Sequence, residues 1–262
     1  MPLRQDIFST RTILNATTRW ALCMALVVLT AAFAFPLHAA KPKPAADKSD
    51  AKASTEKKSD TKKDPFAWRL LFDGKTLEGW KAGKFGGEGE IEIKDSTIFM
   101  WCGESLTGIV STGKPPRMNY EISLEAKRLD GADFFATTTF PIGKSHCSLV
   151  VGGWGGTVVG LSCVDFYDAG DNITTQFVDL KTKQWYTIRI RVSKARIEAW
   201  IDKEQVVDLR TEGHKFDTRF EVDLCKPLGI ASWCTSAALR NIRIRDLKPQ
   251  EVTDAAKPRD DE

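Results

Sequence analysis

Beyond residue 65 the chain alternates apolar and polar positions with a period of two, and helical 3.6-residue spacing is nearly absent. Across residues 185–192, Tyr186, Ile188, Ile190 and Val192 point one way, and Trp185, Thr187, Arg189 and Arg191 the other. After Ser193-Lys194-Ala195-Arg196 the alternation resumes, with Ile197, Ala199 and Ile201 against Glu198, Trp200 and Asp202. Two such runs joined by a short even-length connection predict an antiparallel hairpin. Pairing Val192 with Ile197 sets Arg191 opposite Glu198 and Arg189 opposite Trp200, one an ion pair and the other a cation–π contact.

A second hairpin is predicted around Asp130-Gly131. Residues 119–127 alternate Tyr120, Ile122, Leu124 and Ala126 against Glu121, Ser123, Glu125 and Lys127. A three-residue turn, 129–131, with Gly131 left-handed places Phe134, Ala136 and Phe140 with the core. A one-residue slip would turn that apolar set outward. The polar face then carries Glu121, Ser123, Glu125, Lys127, Asp133, Phe135, Thr137 and Thr139, joined from the next run by His146 and Ser148. Further strands are expected at 69–72, 90–93, 97–101, 158–164, 174–180, 205–209, 228–233 and 239–245. A dozen short strands with turns between them and no helix predict an all-β sandwich of two antiparallel sheets. No internal repeat points to a propeller.

The ends are different material. Arg4, Arg11 and Arg19 precede an apolar run, 21–35, that closes in small residues, the pattern of a secretory signal with cleavage after Ala34 or Ala39. The same run, if uncleaved, is nearly long enough for a membrane anchor. Residues 41–64 contain eight lysines and five acids and no aromatic or branched aliphatic side chain, so they read as a disordered tether. The tail, 251–262, reads the same way, leaving 65–250 as one domain. An exported protein, periplasmic or extracellular, follows.

This partition changes the charge picture. The whole chain is formally +3, but residues 65–262 hold 27 bases and 29 acids, a net charge of −2. The basicity belongs to the signal and tether, which removes the main support for nucleic-acid binding. Cys23 leaves with the signal. Of the other five cysteines, Cys147–Cys163 and Cys225–Cys234 are the disulfide pairs to test in an oxidising compartment.

Three stretches carry a family resemblance. "LFDGKTLEGW" (71–80), "WYTIRIRVSKARIEAWIDKEQVVD" (185–208) and "PLGIASWCTSAALRNIRIRDL" (227–247) resemble the opening, the hairpin and the closing strand of the 3-keto-disaccharide hydrolase domain family. The resemblance covers roughly 68–247 and implies a concanavalin-A-like jelly-roll sandwich. It also implies action on 3-keto-glycosides, by hydrolysis or by elimination of the aglycone followed by hydration. The Gly-Asn-Ser-Gly and Tyr-Glu-x-Gln-Ile stretches of many members are replaced here by "DGADFFATTTFPIG" and "SHCSLVVGGWGGTVVGLSCVDFYDAGDN". No catalytic residue carries over by matching.

A ketone at C3 acidifies the C2 proton, so the chemistry asks for a base, a donor or cation for the enolate, and an acid for the leaving oxygen. Glu125, Asp133 and His146 are the catalytic candidates on the predicted polar face. Glu125 and Asp133 are expected as diagonal neighbours, roughly 7–8 Å apart; the plainer reading makes them exposed, solvated charges. Trp154, set among five glycines in "VVGGWGGTVVG" (150–160), is either a platform for a sugar face or the anchor of its loop. Trp101 and Asp168 are further sugar contacts. Asp165, Asp168 and Asp171 in "DFYDAGDN" offer oxygens to a divalent cation such as calcium, or simply make turns. The Glu-x-Asp-x-x-Glu strand of laminarinase-like enzymes is absent. The expected partner is a carbohydrate substrate or glycan, with no nucleic acid, and with a membrane only through the N-terminal run. The alternative function is a non-catalytic carbohydrate-binding or surface-interaction module.

Overall fold

The period-two alternation becomes fifteen strands in the computed structural model, which describes residues 64–259. The predicted signal, most of the tether and the last three residues lie outside the described residues. In chain order the strands are β1 (Arg69–Leu70), β2 (Trp80–Ala82), β3 (Ile91–Lys94), β4 (Thr97–Met100) and β5 (Leu106–Ser111). Then come β6 (Tyr120–Asp130), β7 (Thr137–Ile142), β8 (Ser145–Gly153), β9 (Val158–Ser162) and β10 (Gln176–Phe177). The last are β11 (Tyr186–Val192), β12 (Arg196–Ile201), β13 (Glu204–Arg210), β14 (Gly229–Trp233) and β15 (Ser236–Asp246). A 3₁₀ turn, Phe220–Cys225, precedes β14, and one helix, α1 (Pro249–Ala255), closes the domain.

The strands form two antiparallel sheets, a jelly-roll sandwich of the concanavalin-A-like kind. One sheet runs β13-β12-β11-β6-β15-β4-β3, with β1 also on β15; the other runs β10-β9-β8-β7-β14-β5-β2. Between them lies one apolar core that includes Ile98, Tyr120, Ile122, Leu124, Phe135, Phe140, Leu149, Ile188 and Ile190, all fully buried. Among the described residues no helix is long and apolar enough to cross a membrane.

The β11–β12 hairpin has the predicted register: Val192 pairs with Ile197, Arg191 with Glu198 and Arg189 with Trp200. The Arg189 guanidinium lies 4.4 Å from the Trp200 ring centre, and Arg191 reaches Glu198 at 3.8 Å. The other predicted hairpin does not form. β6 pairs with β11 and β15 in the first sheet, while β7 pairs with β8 and β14 in the second. The chain crosses between sheets at residues 131–136. The crossing swaps two phenylalanines relative to the expectation: Phe135 is fully buried against Tyr186, and Phe134 turns to the outer surface beside Trp233.

The tail also differs. Helix α1 packs on the outer face of the first sheet, where Glu251 takes hydrogen bonds from Arg245 at 2.6 and 2.8 Å and Ala255 is buried with its carbonyl accepting from Arg196. Arg259 bonds Glu198 at 2.7 Å. An arginine-rich face bearing a fully buried acid, Glu121, gives this polar segment the partners that composition alone does not reveal.

Candidate functional site

The outer face of the second sheet is floored by small and hydroxylic residues. Strand alternation turns Cys147, Leu149 and Val151 of β8 inward to the core and leaves His146, Ser148 and Val150 outward. On neighbouring strands Thr137, Thr139 and Ser162 also point outward, and the Thr139 and Ser148 hydroxyls bond across the β7–β8 pair at 2.9 Å. Gly160 on β9 is kept bare by packing: a side chain there would press on the Ala169 and Thr174 carbonyls, where the 163–175 loop folds back over the sheet.

Over this floor stands a cavity of about 220 Å³. Phe134, Trp233 and Trp154 form its aromatic walls, with Val150 between them. Asp133 also lines it, as do Arg219, just before the 3₁₀ turn, and Glu221 and Val222 within that turn. That turn is anchored by Val222 and Cys225, which pack on Leu106 and Ala231. Burial pushes the Cys225 thiol up to about 12.

The glycines around Trp154 build the wall. Gly152, Trp154, Gly155 and Gly156 all have positive φ, a run that few other residues could follow. Beneath it the buried Arg128 donates to the carbonyls of Gly156 and Leu180, both at 3.0 Å, and a side chain on Gly156 would collide with that guanidinium. The indole of Trp154 lies against Gly170 and remains 47% exposed on the cavity side. It is held by its loop and presents an exposed aromatic face to the cavity. Arg128 is a supporting residue that the sequence did not single out. Its buried apolar surroundings were invisible without the β6 pairing.

The charged groups are tightly arranged. Arg219 bonds Asp168 at 2.6 Å and Glu221 at 2.8 Å, and Asp168 also accepts the Gly170 N–H at 3.0 Å. The bond from Arg219 holds the Glu221 carboxyl below the usual carboxylate range. Asp133 accepts the Phe134 N–H at 2.7 Å, and its own N–H donates to Thr235 Oγ1 at 3.1 Å.

The structure thus brings Asp133 and Trp154 to one cavity, with Asp168 behind Arg219. His146 shares the face but lies one pleat beyond Ser148, outside the cavity lining. Its Nε2 is buried without a hydrogen-bond partner among the described residues, and burial, with Arg117 and Lys226 nearby, lowers its pKa. Glu125 is elsewhere. It lies on the outer face of the opposite sheet, bonded to Arg240 at 2.7 Å and to Asn241, so the expected Glu125–Asp133 pair does not exist. The cause is the crossover that separates β6 from β7. Trp101 is also outside the cavity lining, stacked on Phe99 at the β4 end and donating to Glu92. Asp165, Asp168 and Asp171 do not converge. Asp165 bonds His214 at 2.6 Å and the Lys215 N–H, Asp168 holds Arg219 at the first cavity, and Asp171 lines, with Asp165, a separate and more open hollow. Among the described residues no three His, Cys, Asp or Glu side chains are grouped as metal ligands. Arg219, Glu221 and Trp233 were missed because sequence gives no signal that the 219–222 segment folds over β14.

The family model described as "3-keto-alpha-glucoside-1,2-lyase-like domain" matches residues 67–245. None of the curated proteins matches the chain. Solved structures with a similar fold include a putative glycosyl hydrolase from Parabacteroides distasonis, 17% identical over 69% of this chain and 94% of that one, with a TM-score of 0.44. Carbohydrate-binding module CBM66 from Bacillus subtilis is 14% identical over 64% and 96%, with a TM-score of 0.43. Domain 4 of AbnA, an extracellular arabinanase from Geobacillus stearothermophilus solved with arabinotriose, is 16% identical over 73% and 98%, with a TM-score of 0.46.

Proposed function

The chain belongs to the 3-keto-alpha-glucoside-1,2-lyase-like domain family, and from that premise we propose that its cavity cleaves the glycosidic bond of 3-keto-glycosides. The observation that carries the reading is the meeting, over one hydroxyl-lined floor, of a carboxylate (Asp133), a guanidinium (Arg219) and three aromatic walls. A pyranose presents an apolar face that suits indole and phenyl surfaces. Asp133 removes the C2 proton, and the Arg219 guanidinium faces the enolate oxygen that forms at C3. The enolate expels the C1 oxygen, which receives the proton that Asp133 has just taken up. Addition of water to the resulting enone would make the net reaction a hydrolysis. Glu221 and Asp168 serve as orienting partners of Arg219. Glu221, held ionised by that contact, is poorly suited to be the acid.

The N-terminal apolar run supports a site of action outside the cytoplasm, periplasmic or extracellular. A mature N-terminus between residues 35 and 41 in secreted protein is the expected mass-spectrometric result, and an intact N-terminus in the membrane fraction would indicate an anchor instead.

The test of the activity is incubation of the purified protein with 3-keto-sucrose, 3-keto-trehalose and a 3-keto-glucoside, with and without added divalent metal. Turnover of a keto-sugar, with the unoxidised sugars untouched, is expected, because without the ketone the C2 proton is too weak an acid for a carboxylate. Saturable glycan binding without turnover would identify a carbohydrate-binding module. That second reading is favoured by one observation: of the three acid–base candidates read from sequence, Asp133 alone lines the cavity.

A further inference from the structure

Two connections cross between the sheets side by side. β4 ends in the first sheet and β5 begins in the second; β14 ends in the second and β15 begins in the first. Met100 pairs with Ala237 on one side of the crossing and Leu106 with Trp233 on the other. The segments 101–105 and 234–235 therefore run alongside each other, and each carries one cysteine.

The contacts between them are close. The Cys102 N–H donates to Ser236 Oγ at 3.0 Å, and the Cys234 N–H donates to the Ser105 carbonyl at 2.9 Å. The Cys102 sulfur lies 3.2 Å from the Gly103 carbonyl oxygen and the Cys234 sulfur 3.4 Å from that of Glu104, so both thiols sit on one dipeptide. Both are exposed, whereas Cys147, Cys163 and Cys225 are buried. The Cys234 thiol is held above its ordinary pKa, first by burial and then by the neighbouring Cys102 and Asp133. The pair Cys225–Cys234 read from sequence is not formed, since Cys225 faces Gly229 under the 3₁₀ turn. Cys147 and Cys163 are neighbours, and both are free, buried thiols.

We propose that Cys102 and Cys234 form a disulfide that ties the two inter-sheet crossovers together when the protein meets a disulfide oxidant such as oxidised glutathione. One protein thiolate attacks a glutathione sulfur and releases one glutathione thiolate. The second protein thiolate attacks the protein-bound sulfur of that mixed disulfide and releases the other. Two protein thiols are oxidised, one glutathione disulfide is reduced, and the two cysteine protons end on the two glutathione thiolates. The bond would fix the turn between Trp233, a wall of the cavity, and Thr235, which holds the Asp133 N–H. The staple thus stiffens the side of the cavity that bears the proposed base.

The experiment uses the full chain, reduced and then incubated with oxidised glutathione, acid-quenched and alkylated after unfolding. The free-thiol count should fall by two from the six cysteines of the chain, and a non-reduced digest should contain the Cys102 and Cys234 peptides linked. The bond closes a loop of roughly 130 residues, so the thermal midpoint should rise by roughly 10 °C and return on treatment with a dithiol. Cys102→Ser and Cys234→Ser, both at exposed positions, should each abolish the linked peptide and the rise while leaving the far-ultraviolet circular dichroism unchanged. Cys102→Ala and Cys234→Ala should behave alike. Six retained thiols, separate glutathione adducts at Cys102 and Cys234, or a link to another cysteine in folded protein would each overturn the proposal.

Discussion

Arg219 and Asp168 meet at 2.6 Å at the edge of the cavity, and Glu221, two residues on in the 3₁₀ turn, grips the same guanidinium at 2.8 Å. Two carboxylates fix the planar fork in one orientation, a role a lysine cannot fill. Arg219→Lys is expected to lower kcat/KM for a 3-keto-glucoside by about 10²–10³, the usual effect of losing one oxyanion contact. Asp168→Asn should cost less, about tenfold, because Glu221 still holds the group. Steady-state kinetics on the two variants decide this; wild-type rates in Arg219→Lys would show that the oriented guanidinium fork is not required.

The two carboxylates read as a pair from sequence should behave oppositely. Asp133→Asn is expected to reduce turnover by about 10²–10⁴, as proton-transfer residues do. Glu125→Gln, on the far face with Arg240 and Asn241, should leave turnover within about twofold, as a substitution remote from the chemistry does. Equal losses at both positions would mean that the chemistry does not occur in this cavity.

Trp154 and Trp101 form a second such contrast. If the Trp154 indole holds the sugar ring, Trp154→Ala should raise KM more than it lowers kcat. Trp101, stacked on Phe99 at the β4 end, should be replaceable by Ala without kinetic effect. Product-formation curves over a range of keto-sugar concentration separate the two terms.

The C-terminal helix makes stability depend on acid. The hydrogen bond from Arg245 holds the Glu251 carboxyl at about 2, below its ordinary 4.5. A group whose folded pKa is depressed contributes stability above its unfolded pKa, and that contribution is lost as pH falls from about 4.5 through about 2. Its size at neutral pH is on the order of 1–3 kcal/mol. Glu251→Gln should lower urea-unfolding stability at pH 7 by that order and by much less at pH 2. A variant equally destabilised at both values would show that the helix, not the ion pair, carries the effect.

How far the sequence could be read depended on the range of the interactions involved. The β11–β12 hairpin was legible to the residue pair because both strands and their turn lie in one continuous alternating run. The family stretches at 71–80 and 185–208, and 227–247 up to residue 245, fell within the matched region. The 127–137 segment was not legible. Asp130-Gly131 looks like a hairpin turn, yet the chain there leaves one sheet for the other, and strand partners 60 to 126 residues away decide it. That single misreading misplaced Glu125 relative to Asp133. It also hid the cavity, whose floor joins β7, β8 and β9 and whose far wall comes from residues 219–233. The tail differs because its polar helix and the residues after it find partners in Arg196, Arg245 and Glu198, none of which its own composition shows.

The crossover itself can be tested at two adjacent residues. Phe135 is fully buried, its ring 6.4 Å from that of Tyr186 with Arg128 above it, so Phe135→Ala should destabilise by about 3–5 kcal/mol, as large core truncations do. Phe134 faces the cavity beside Trp233, and Phe134→Ala removes contacts that are only partly sealed from water. It should cost about 1 kcal/mol and show mainly as weaker binding of the keto-sugar. The hairpin that the sequence suggests reverses both outcomes, since it buries Phe134 and exposes Phe135. Chemical-denaturation midpoints of the two variants, read beside their KM values, therefore distinguish the two chain paths directly, and a larger stability loss in Phe134→Ala than in Phe135→Ala would show that β6 and β7 pair after all.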